Sequence, residues 1–394
     1  MLKLGLLTSF LLATLAVNVA ANEFGNVLLG RQAPDPRAED LERERMGELV
    51  KNYTAKTWTP GGSCTEEDIT VRKEWSDLTR DERRAYISAV HCLHEKPSKT
   101  DPAISSGARN RFDDFAVAHI LNMYDVHFSP NLLFWHRHFL WEFEQALKNE
   151  CGYEGGQPFW DWSKNALDPL TDLPLFDGSE TSLSGNGIPR NVTAPDGTTV
   201  ECACVESGPL SNWTVNVGPT GRGSPCLQNP STSGLDYNPR CLERFFDPSY
   251  MENITYTHVT DTLLNYEEVP SPDGQQPSFF WRIESWPHGI HPIPHTVIGG
   301  LQNDIPASPT DPWFFFHHSA LDRAWIVWQS IEWDVRKKAL PDVSEYAGER
   351  GHREWEPAQA LTLEGVIYLS DVFSNSTVDE VLVPTKGRYC YRYE

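Results

Sequence analysis

Two groups of three histidines constrain the fold of this chain more than any other feature of its sequence. Triplet A consists of His119, His127 and His136, and triplet B consists of His291, His295 and His318. A single inward-facing histidine is more often a hydrogen-bonded core residue than a ligand, but three that converge favour a metal site. Because neither triplet includes a carboxylate or a thiolate, and one ion needs only one triplet, the pattern predicts a site for two metal ions.

The ligand type narrows the choice of metal. Imidazole suits both copper and zinc, and copper binds more tightly than zinc when the ligands are equal. Di-iron sites in helical bundles use Glu-x-x-His pairs, which the helices predicted below do not contain. We therefore predict two copper ions that handle dioxygen, with zinc as the alternative.

Four amphipathic helices are predicted around these histidines. Their expected positions are from residue 79 onward, about 110–124, about 131–149 and about 311–338. The first opens with a capping box from Thr79 to Glu82, and the fourth with an N-cap residue, Asp311, followed by Pro312. Three of the six histidines lie on these helices among their apolar positions. We therefore predict a mainly α fold in which a four-helix bundle holds a dinuclear metal site, with long disulfide-pinned loops and a few short strands.

The remaining segments carry weaker signals. Residues 22–60 are polar with little periodicity and are expected to wrap around the core. Residues 163–275 are rich in Pro, Gly, Ser and Asn, which predicts long loops pinned by disulfides and no second domain. Residues 360–394 alternate in polarity, which predicts one or two short strands. Eight cysteines allow up to four disulfides, whose pairing the sequence cannot choose, and zinc thiolates are disfavoured because Cys-x-x-Cys pairs are lacking.

The first residues of the chain predict that the protein is secreted. Residues 1–21 combine a positive start, a short apolar run and small residues, which is the pattern of a secretory signal peptide. An N-terminal membrane anchor is the alternative, disfavoured because no stop-transfer pattern follows and the run is too short to span a bilayer. Residues 22–394 are therefore expected to form a secreted, soluble single domain. Five sequons are candidate glycan sites, and they begin at Asn52, Asn191, Asn212, Asn253 and Asn375.

The net charge limits the partners. A formal charge of −22 argues against nucleic acid, because phosphate binding requires a basic face. A small molecule is the expected partner, and the sequence does not specify the oligomeric state.

The first ligand of triplet B has two candidates. His291 precedes His295 by four residues, which is one helical turn, whereas His288 lies three residues before His291. Prolines at 292 and 294 are tolerated only in the first turn of a helix, so His291 is expected at a helix start. We favour His291 and keep His288 as the alternative.

Other residues near the ligands are assigned by helical position. Asp322 follows His318 by one turn and is expected to accept a hydrogen bond from a ligand imidazole, which would fix its tautomer. His138 and His317 are close to ligands in sequence but are expected to be rotated off the ligand face.

Several motifs around the triplets resemble those of type 3 copper proteins, and in particular the short fungal tyrosinase-like polyphenol oxidases. The motifs are Leu-Phe-Trp-His-Arg at 133–137, Pro-Phe-Trp-Asp-Trp at 158–162, His-Thr-Val-Ile-Gly-Gly at 295–300 and Asp-Pro-Trp-Phe-Phe-Phe-His-His at 311–318, followed by Asp322-Arg323. Leu132 stands where a phenylalanine is usual. The resemblance covers about 70–390.

The resemblance implies a function and further site residues. It implies that triplet A binds CuA, that triplet B binds CuB, and that an o-diphenol is oxidised to an o-quinone with dioxygen. Phe314, one turn before His318, would pack against the site. Tyr389 and Tyr391 resemble the tyrosine motif that closes the core in this family, with Arg72 as a candidate partner. Since the chain ends just after that motif, no C-terminal shielding domain is expected.

Three departures from the family pattern refine this expectation. Asp125 stands where some fungal members have a cysteine, so no thioether to His127 is expected. Pro292 follows His291 where monophenol-hydroxylating members have an asparagine, and proline cannot orient a water. Glu284 is the nearest candidate base. These departures imply a dicopper oxidase of o-diphenols or o-aminophenols whose monophenol hydroxylation is weak or absent.

Two other functions stay open at this point. One is a secondary-metabolism enzyme of the same fold with pathway-specific, zinc-dependent or non-oxidative chemistry, which the prolines at 292 and 294 favour. The other is an oxygen carrier, which would require a blocked pocket and a large assembly that nothing in the sequence indicates. Metal analysis distinguishes the oxidase from the zinc enzyme.

Overall fold

Helices are the main secondary structure of the protein and the strands are few and short, as predicted. The structure is a computed structural model and describes residues 35–57, 63–193, 197–220, 226–346 and 359–394. The expected signal peptide, 1–21, lies outside these residues. Within them, no helix combines the length and the apolar character needed to cross a lipid bilayer.

The helices and strands of these ranges are numbered in chain order. The helices are α1 (Pro36–Thr57), α2 (Arg80–Glu95), α3 (Arg111–Val126), α4 (Leu132–Cys151), α5 (Tyr256–Asn265), α6 (Phe279–Arg282), α7 (Pro292–Ile298), α8 (Trp313–Ile331), α9 (Trp333–Arg336) and α10 (Val378–Val381). The strands pair two by two: β1 (Thr70–Arg72) with β8 (Tyr391–Tyr393), β2 (Gly187–Thr193) with β3 (Thr199–Val205), β4 (Thr214–Val215) with β5 (Arg240–Cys241), and β6 (Val366–Ile367) with β7 (Ser376–Thr377). Residues 360–394, predicted to contain one or two short strands, contain three, β6, β7 and β8.

Capping side chains mark the starts of two of the four long helices around the histidines. The predicted capping box forms at the start of α2, and a second one forms at the start of α3. The helix α8 begins at Trp313 with Pro312, and not the predicted Asp311, as its N-cap residue. A carboxylate oxygen of Asp311 still accepts a hydrogen bond from the backbone N–H of Trp313 at 3.0 Å. The predicted end at 338 is wrong, because the backbone leaves helical geometry at Glu332 and a separate short helix, α9, follows.

Aromatic rings fix the spacing between α3, α4 and α8. Phe143 on α4 and Phe315 on α8 stack with ring centroids 3.5 Å apart and planes 5° apart. Phe115 on α3 meets Phe143 edge-on at 5.1 Å. Aromatic pairs of these two kinds stabilise by more than the area they bury. The helices that carry three of the six histidines are therefore held at fixed distances from one another.

A buried charge network centred on Asp322 joins α8 to α4 and to the strand pair β1–β8. One carboxylate oxygen accepts a hydrogen bond from Nε of Arg137 at 2.5 Å. The other accepts from the hydroxyls of Tyr391 and Tyr393 at 2.6 and 2.7 Å, with Nη1 of Arg72 at 3.4 Å. All five side chains are buried, so the network is shielded from water.

The predicted tyrosine motif is partly confirmed. The guanidinium of Arg72 lies 3.5 Å from the ring centroid of Tyr391 and donates a hydrogen bond to the hydroxyl of Tyr393 at 2.9 Å. Tyr389 does not reach Arg72, because its hydroxyl lies 3.1 Å from Nδ1 of His138. The motif that meets Arg72 therefore consists of Tyr391 and Tyr393.

Two segments are more ordered than the sequence suggests. Residues 35–57, expected only to wrap around the core, form helix α1, whose Glu39 carboxylate accepts hydrogen bonds from the backbone N–H groups of Tyr256 and Thr257 at the start of α5. A carboxylate at a helix N-terminus is stabilising. The segment 163–275, expected to form loops, contains the hairpin β2–β3 and α5. Four disulfides form, as the cysteine count allows: Cys64–Cys390, Cys92–Cys151, Cys202–Cys226 and Cys204–Cys241.

Candidate metal centre

Triplet A is assembled by two helices and the turn between them. His119 lies on α3, His127 directly follows that helix, and His136 lies on α4. The Nε2 atoms of His119 and His136 are 3.3 Å apart. Each Nδ1 donates a hydrogen bond to a main-chain carbonyl, and the three acceptors are those of Pro306, Met123 and Leu132, at 2.8, 3.1 and 2.7 Å. Because Nδ1 carries the proton, each Nε2 keeps its lone pair for a metal.

Triplet B is assembled by α7 and α8. His291 immediately precedes α7, His295 lies one turn further along it, and His318 lies on α8. The Nε2 atoms of His295 and His318 are 3.3 Å apart. Nδ1 of His295 donates to the side-chain oxygen of Gln302 at 2.8 Å. In the part of the chain that the structure describes, the two ring nitrogens of His291 have no hydrogen-bond partner. The same holds for Nδ1 of His318.

The two triplets face each other. The rings of His136 and His318 stack with centroids 4.3 Å apart, and those of His127 and His291 stack at 5.6 Å. Phe314 stacks on His318 at 4.0 Å, as expected, and also lies 5.2 Å from His119. One aromatic side chain therefore packs against both triplets.

The nitrogen positions fit metal ions. Metal–imidazole distances of about 2.0–2.1 Å in a tetrahedral site place two ligand nitrogens about 3.3 Å apart, which is the separation found in each triplet. In each triplet the candidate ligand atoms all lie within 4.8 Å of one another. The unpartnered buried nitrogens of His291 point to the same conclusion, since buried polar atoms normally have a partner.

Burial keeps the imidazoles in the form that binds metals. Removal from water lowers the pKa of His127 to about 4 and that of His295 to about 3, because the charged form loses hydration. Burial also lowers the pKa values of the other four histidines well below the usual value for imidazole. Six neutral imidazoles therefore meet at the site near neutral pH.

The choice between His288 and His291 has a geometric answer. His291 lies in triplet B and is 4 % exposed. His288 is exposed at the surface, where its ring lies 6.2 Å from that of His258. Of these two residues, His291 is the one placed to share an ion with His295 and His318.

The expectation for Asp322 is wrong. Its two carboxylate oxygens accept hydrogen bonds from Arg137, Tyr391 and Tyr393 and from no ligand imidazole in the described residues. Although Asp322 follows His318 by one turn, its carboxylate contacts Arg137 on α4 and the two tyrosines of β8. Its effect on the site is therefore to hold the helices together.

One further histidine lies at the site and was not predicted from the sequence. His317, expected to be rotated off the ligand face, is buried beside the three histidines of triplet B. The centroid of its ring lies 4.5 Å from that of His295. Its ring also stacks between those of Trp313 and His291, at 5.3 and 5.8 Å. Its Nε2 donates a hydrogen bond to the backbone carbonyl of His291 at 2.9 Å. His138, in contrast, turns away as expected and lies 2.7 Å from the carbonyl of Ser374.

Glu284 lies behind the turn that carries His127. It is buried, and one carboxylate oxygen accepts a hydrogen bond from the backbone N–H of Phe128. Phe128 has a positive φ of 48°, a strained conformation for a residue with a side chain. Glu284 therefore holds the turn after His127 in place.

A segment that includes Gln302 and Pro306, residues 299–310, contacts both triplets. It begins at Gly299 and Gly300, whose φ angles are +60° and +57°. A Cβ at Gly300 would lie 2.4 Å from the carbonyl oxygen of Glu243, so only glycine fits there. This close approach explains the Gly-Gly pair that follows α7.

Replacing Gly300 with alanine is expected to lower the free energy of unfolding by about 3 kcal/mol, because left-handed strain adds to the clash with Glu243. Gly274 is a matched control, since it has a similar φ of +68° but nothing within 4 Å of a Cβ. Gly274→Ala should cost only the strain, about 1 kcal/mol. Urea denaturation of both variants measures the difference, and equal losses would contradict the argument.

The known proteins that this chain resembles are consistent with a metal site of this kind. The family model described as the common central domain of tyrosinase matches residues 109–331. The chain is 38% identical over 322 residues to the tyrosinase-like protein orsC of Emericella nidulans, which covers 75% of this chain and 84% of that protein. It is 34% identical over 349 residues to tyrosinase P of Aspergillus terreus, and the match covers 85% of this chain and 94% of that protein. The solved structure of a polyphenol oxidase from Thermothelomyces thermophila superposes with a TM-score of 0.75 and 32% identity, covering 92% of this chain and 99% of that one.

The chain therefore belongs to the tyrosinase family. It is a type 3 copper, tyrosinase-like protein with a polyphenol oxidase fold, which confirms the resemblance drawn from the sequence motifs. Members of this family are oxidoreductases that act on phenolic substrates with oxygen.

Proposed function

We propose that this protein is a dicopper oxidase that uses dioxygen to convert o-diphenols to o-quinones or o-aminophenols to o-quinone imines. The observation that carries the proposal is the pair of facing triplets, whose His136 and His318 rings stack 4.3 Å apart. Triplet A would hold CuA and triplet B would hold CuB. Copper, when bound, supplies the redox chemistry and the binding of dioxygen.

The side chains of this protein would hold and shield the metals. Main-chain carbonyls fix the three imidazoles of triplet A, and Phe314 covers both triplets from within the core. His295 is the most exposed of the six histidines, at 9 %, whereas His119 is fully buried. We therefore place the approach of the phenolic ring on the triplet B side.

Weak or absent monophenol hydroxylation is part of the proposal. Hydroxylation of a monophenol needs a group that removes the phenol proton or orients a water for it. Pro292, the first residue of α7, offers no polar side chain next to His291. Glu284 is engaged in holding the backbone of Phe128. Diphenols are oxidised without this help because they are more easily deprotonated and give up electrons more readily.

Secretion is proposed on separate grounds. Four disulfides fit an oxidising compartment. Four of the five sequon asparagines, those at 52, 191, 212 and 375, are exposed and so accessible to a glycan. Mass spectrometry of the secreted protein would test both the processing of residues 1–21 and the glycans.

The copper-loaded protein is expected to turn over catechol at least about 100-fold faster than tyrosine, since a positioned general base contributes at least that factor and none is available for the monophenol. An oxygen electrode and quinone absorbance measure the two rates. Comparable rates for tyrosine and catechol would contradict the proposed specificity.

Metal exchange tests the oxidase itself. We expect copper to restore catechol oxidation to the metal-free protein and zinc to give none, since zinc has no redox chemistry. The zinc alternative gains no support from the comparisons with known proteins. Isolation of the protein with zinc, and activity on a non-oxidative reaction, would favour it over the oxidase. Copper and reversible dioxygen binding without catechol turnover would instead indicate an oxygen carrier.

A further inference from the structure

The imidazoles of the two triplets are fixed in different ways. All three Nδ1 atoms of triplet A donate to main-chain carbonyls, which substitution cannot remove. In triplet B only His295 has such a bond at Nδ1, and its acceptor is the side chain of Gln302. In the described residues, the Nδ1 atoms of His291 and His318 have no hydrogen-bond partner. Within the described part of the chain, the hydrogen bond that orients a triplet B ligand through its Nδ1 is therefore made by one side chain, that of Gln302, to one ligand, His295.

The orientation of the Gln302 amide is determined by its surroundings. Its Nε2 donates to the carbonyl of Ser308 at 3.0 Å, so its oxygen must face His295. A carbonyl oxygen can only accept, so Nδ1 of His295 carries the proton and Nε2 keeps its lone pair. That Nε2 lies 3.3 Å from Nε2 of His318, the position of a shared ion. Gln302 is completely buried, so water does not compete for the amide.

The segment that carries Gln302 is itself rigidly held. Gly299 and Gly300 pack against the backbone of Phe245 and Glu243, where no side chain would fit. Further along, the carbonyl of Pro306 accepts the hydrogen bond from His119 of triplet A. The segment 299–310 therefore contacts one ligand of each triplet, but it does so through a side chain only at triplet B.

We propose that Gln302 is a positioning residue that determines how tightly triplet B retains its metal ion, while triplet A retains its own ion independently. The proposal rests on the proposed function in one respect, namely that the six histidines are the metal ligands. Partners in the second shell of a metal site affect affinity by about 10–100-fold, because they set the tautomer and orientation of the ligand.

The test replaces Gln302 with methionine, which keeps the length of the side chain and removes both hydrogen bonds. Copper affinity is measured by competition with a chelator, which resolves the two ions. We expect the ion of triplet B to bind about 10–100-fold more weakly and the ion of triplet A to bind unchanged. The electron paramagnetic resonance spectrum of the remaining copper should match that of His295→Ala, in which a triplet B ligand is missing.

Gln329→Met is the matched control. Gln329 is also fully buried and also donates to a carbonyl, that of Leu382, but it lies three helical turns beyond His318. It should lower stability without changing either copper affinity. If Gln302→Met leaves triplet B unchanged, or weakens both ions equally, the proposal is overturned.

A second variant covers the case in which Gln302→Met does not fold. Gln302→Glu keeps an acceptor for His295 and, as the buried neutral acid, an O–H that can donate to the carbonyl of Ser308 in place of the amide. It should retain the ion of triplet B at least as tightly as the unmodified protein, and a weaker ion there would overturn the proposal. If the unmodified protein itself binds no copper, the proposed function fails, whatever Gln302 does.

Discussion

Replacing His291 with alanine is expected to reduce the copper content from about two ions per chain to about one and to abolish catechol oxidation. His291 supplies one of the three imidazoles of triplet B, and two remaining nitrogens hold an ion too weakly to retain it. Triplet A keeps its three ligands and its main-chain hydrogen bonds. Elemental analysis counts the ions, and the paramagnetic signal of an isolated copper identifies the one that remains.

His288→Ala is the matched control, because His288 is three residues away in sequence and exposed at the surface. Its contact with His258 is made by the backbone carbonyl, at 2.6 Å, and survives the substitution. The variant should therefore keep about two copper ions per chain. Loss of copper in His288→Ala with retention in His291→Ala would reverse the ligand assignment.

Local sequence patterns were sufficient to predict the framework of the site. The helical stripes around His119 and His136 predicted the bounds of α3 and α4 to within about two residues, because apolar periodicity and capping residues act over a few residues of chain. The prolines at 292 and 294 predicted a helix start next to His291 for the same reason. These features needed no knowledge of distant contacts.

Features that depend on distant contacts were not predictable. Gln302 reaches His295 only because two glycines turn the chain back against residues 243–245. His317 was expected to point away because it lies one residue from a ligand on α8, but α7 also packs there and brings His291 to it. The position of a residue in a helix predicts which face of the helix it lies on. It does not predict which other part of the chain packs against that face.

Asp322 shows the same limit. Its spacing of one turn from His318 suggested a bond to an imidazole, yet the nearest strong donors come from Arg137 on α4 and from β8. The strand β8 pairs in parallel with β1, more than three hundred residues earlier in the chain, and no local pattern predicts that pairing. The buried charges and tyrosines therefore compete for the carboxylate more effectively than the histidine does.

Replacing Asp322 with asparagine is expected to lower the free energy of unfolding by about 3–5 kcal/mol, the cost of removing one partner from a buried ion pair. The carboxylate accepts from four donors, on Arg137, Arg72, Tyr391 and Tyr393. Asparagine would present an amide N–H₂ to some of these donors and would leave a guanidinium charge without its counter-charge. Urea denaturation at matched copper content measures the loss.

The loss of stability should extend to the metal site. Arg137 is the residue after His136 on α4, and Asp322 lies one turn after His318 on α8. The ion pair between Arg137 and Asp322 therefore joins the two helices whose ligand rings stack. Asp334→Asn is the control, since Asp334 is 95% exposed and pairs with Lys337 at the surface. Surface pairs contribute about 0–1 kcal/mol, so this variant should unfold almost like the unmodified protein. If Asp322→Asn were no more destabilising than Asp334→Asn, the buried network would not be what holds α4 against α8. The aromatic stack of Phe143 on Phe315 would then have to account for the spacing of the two triplets.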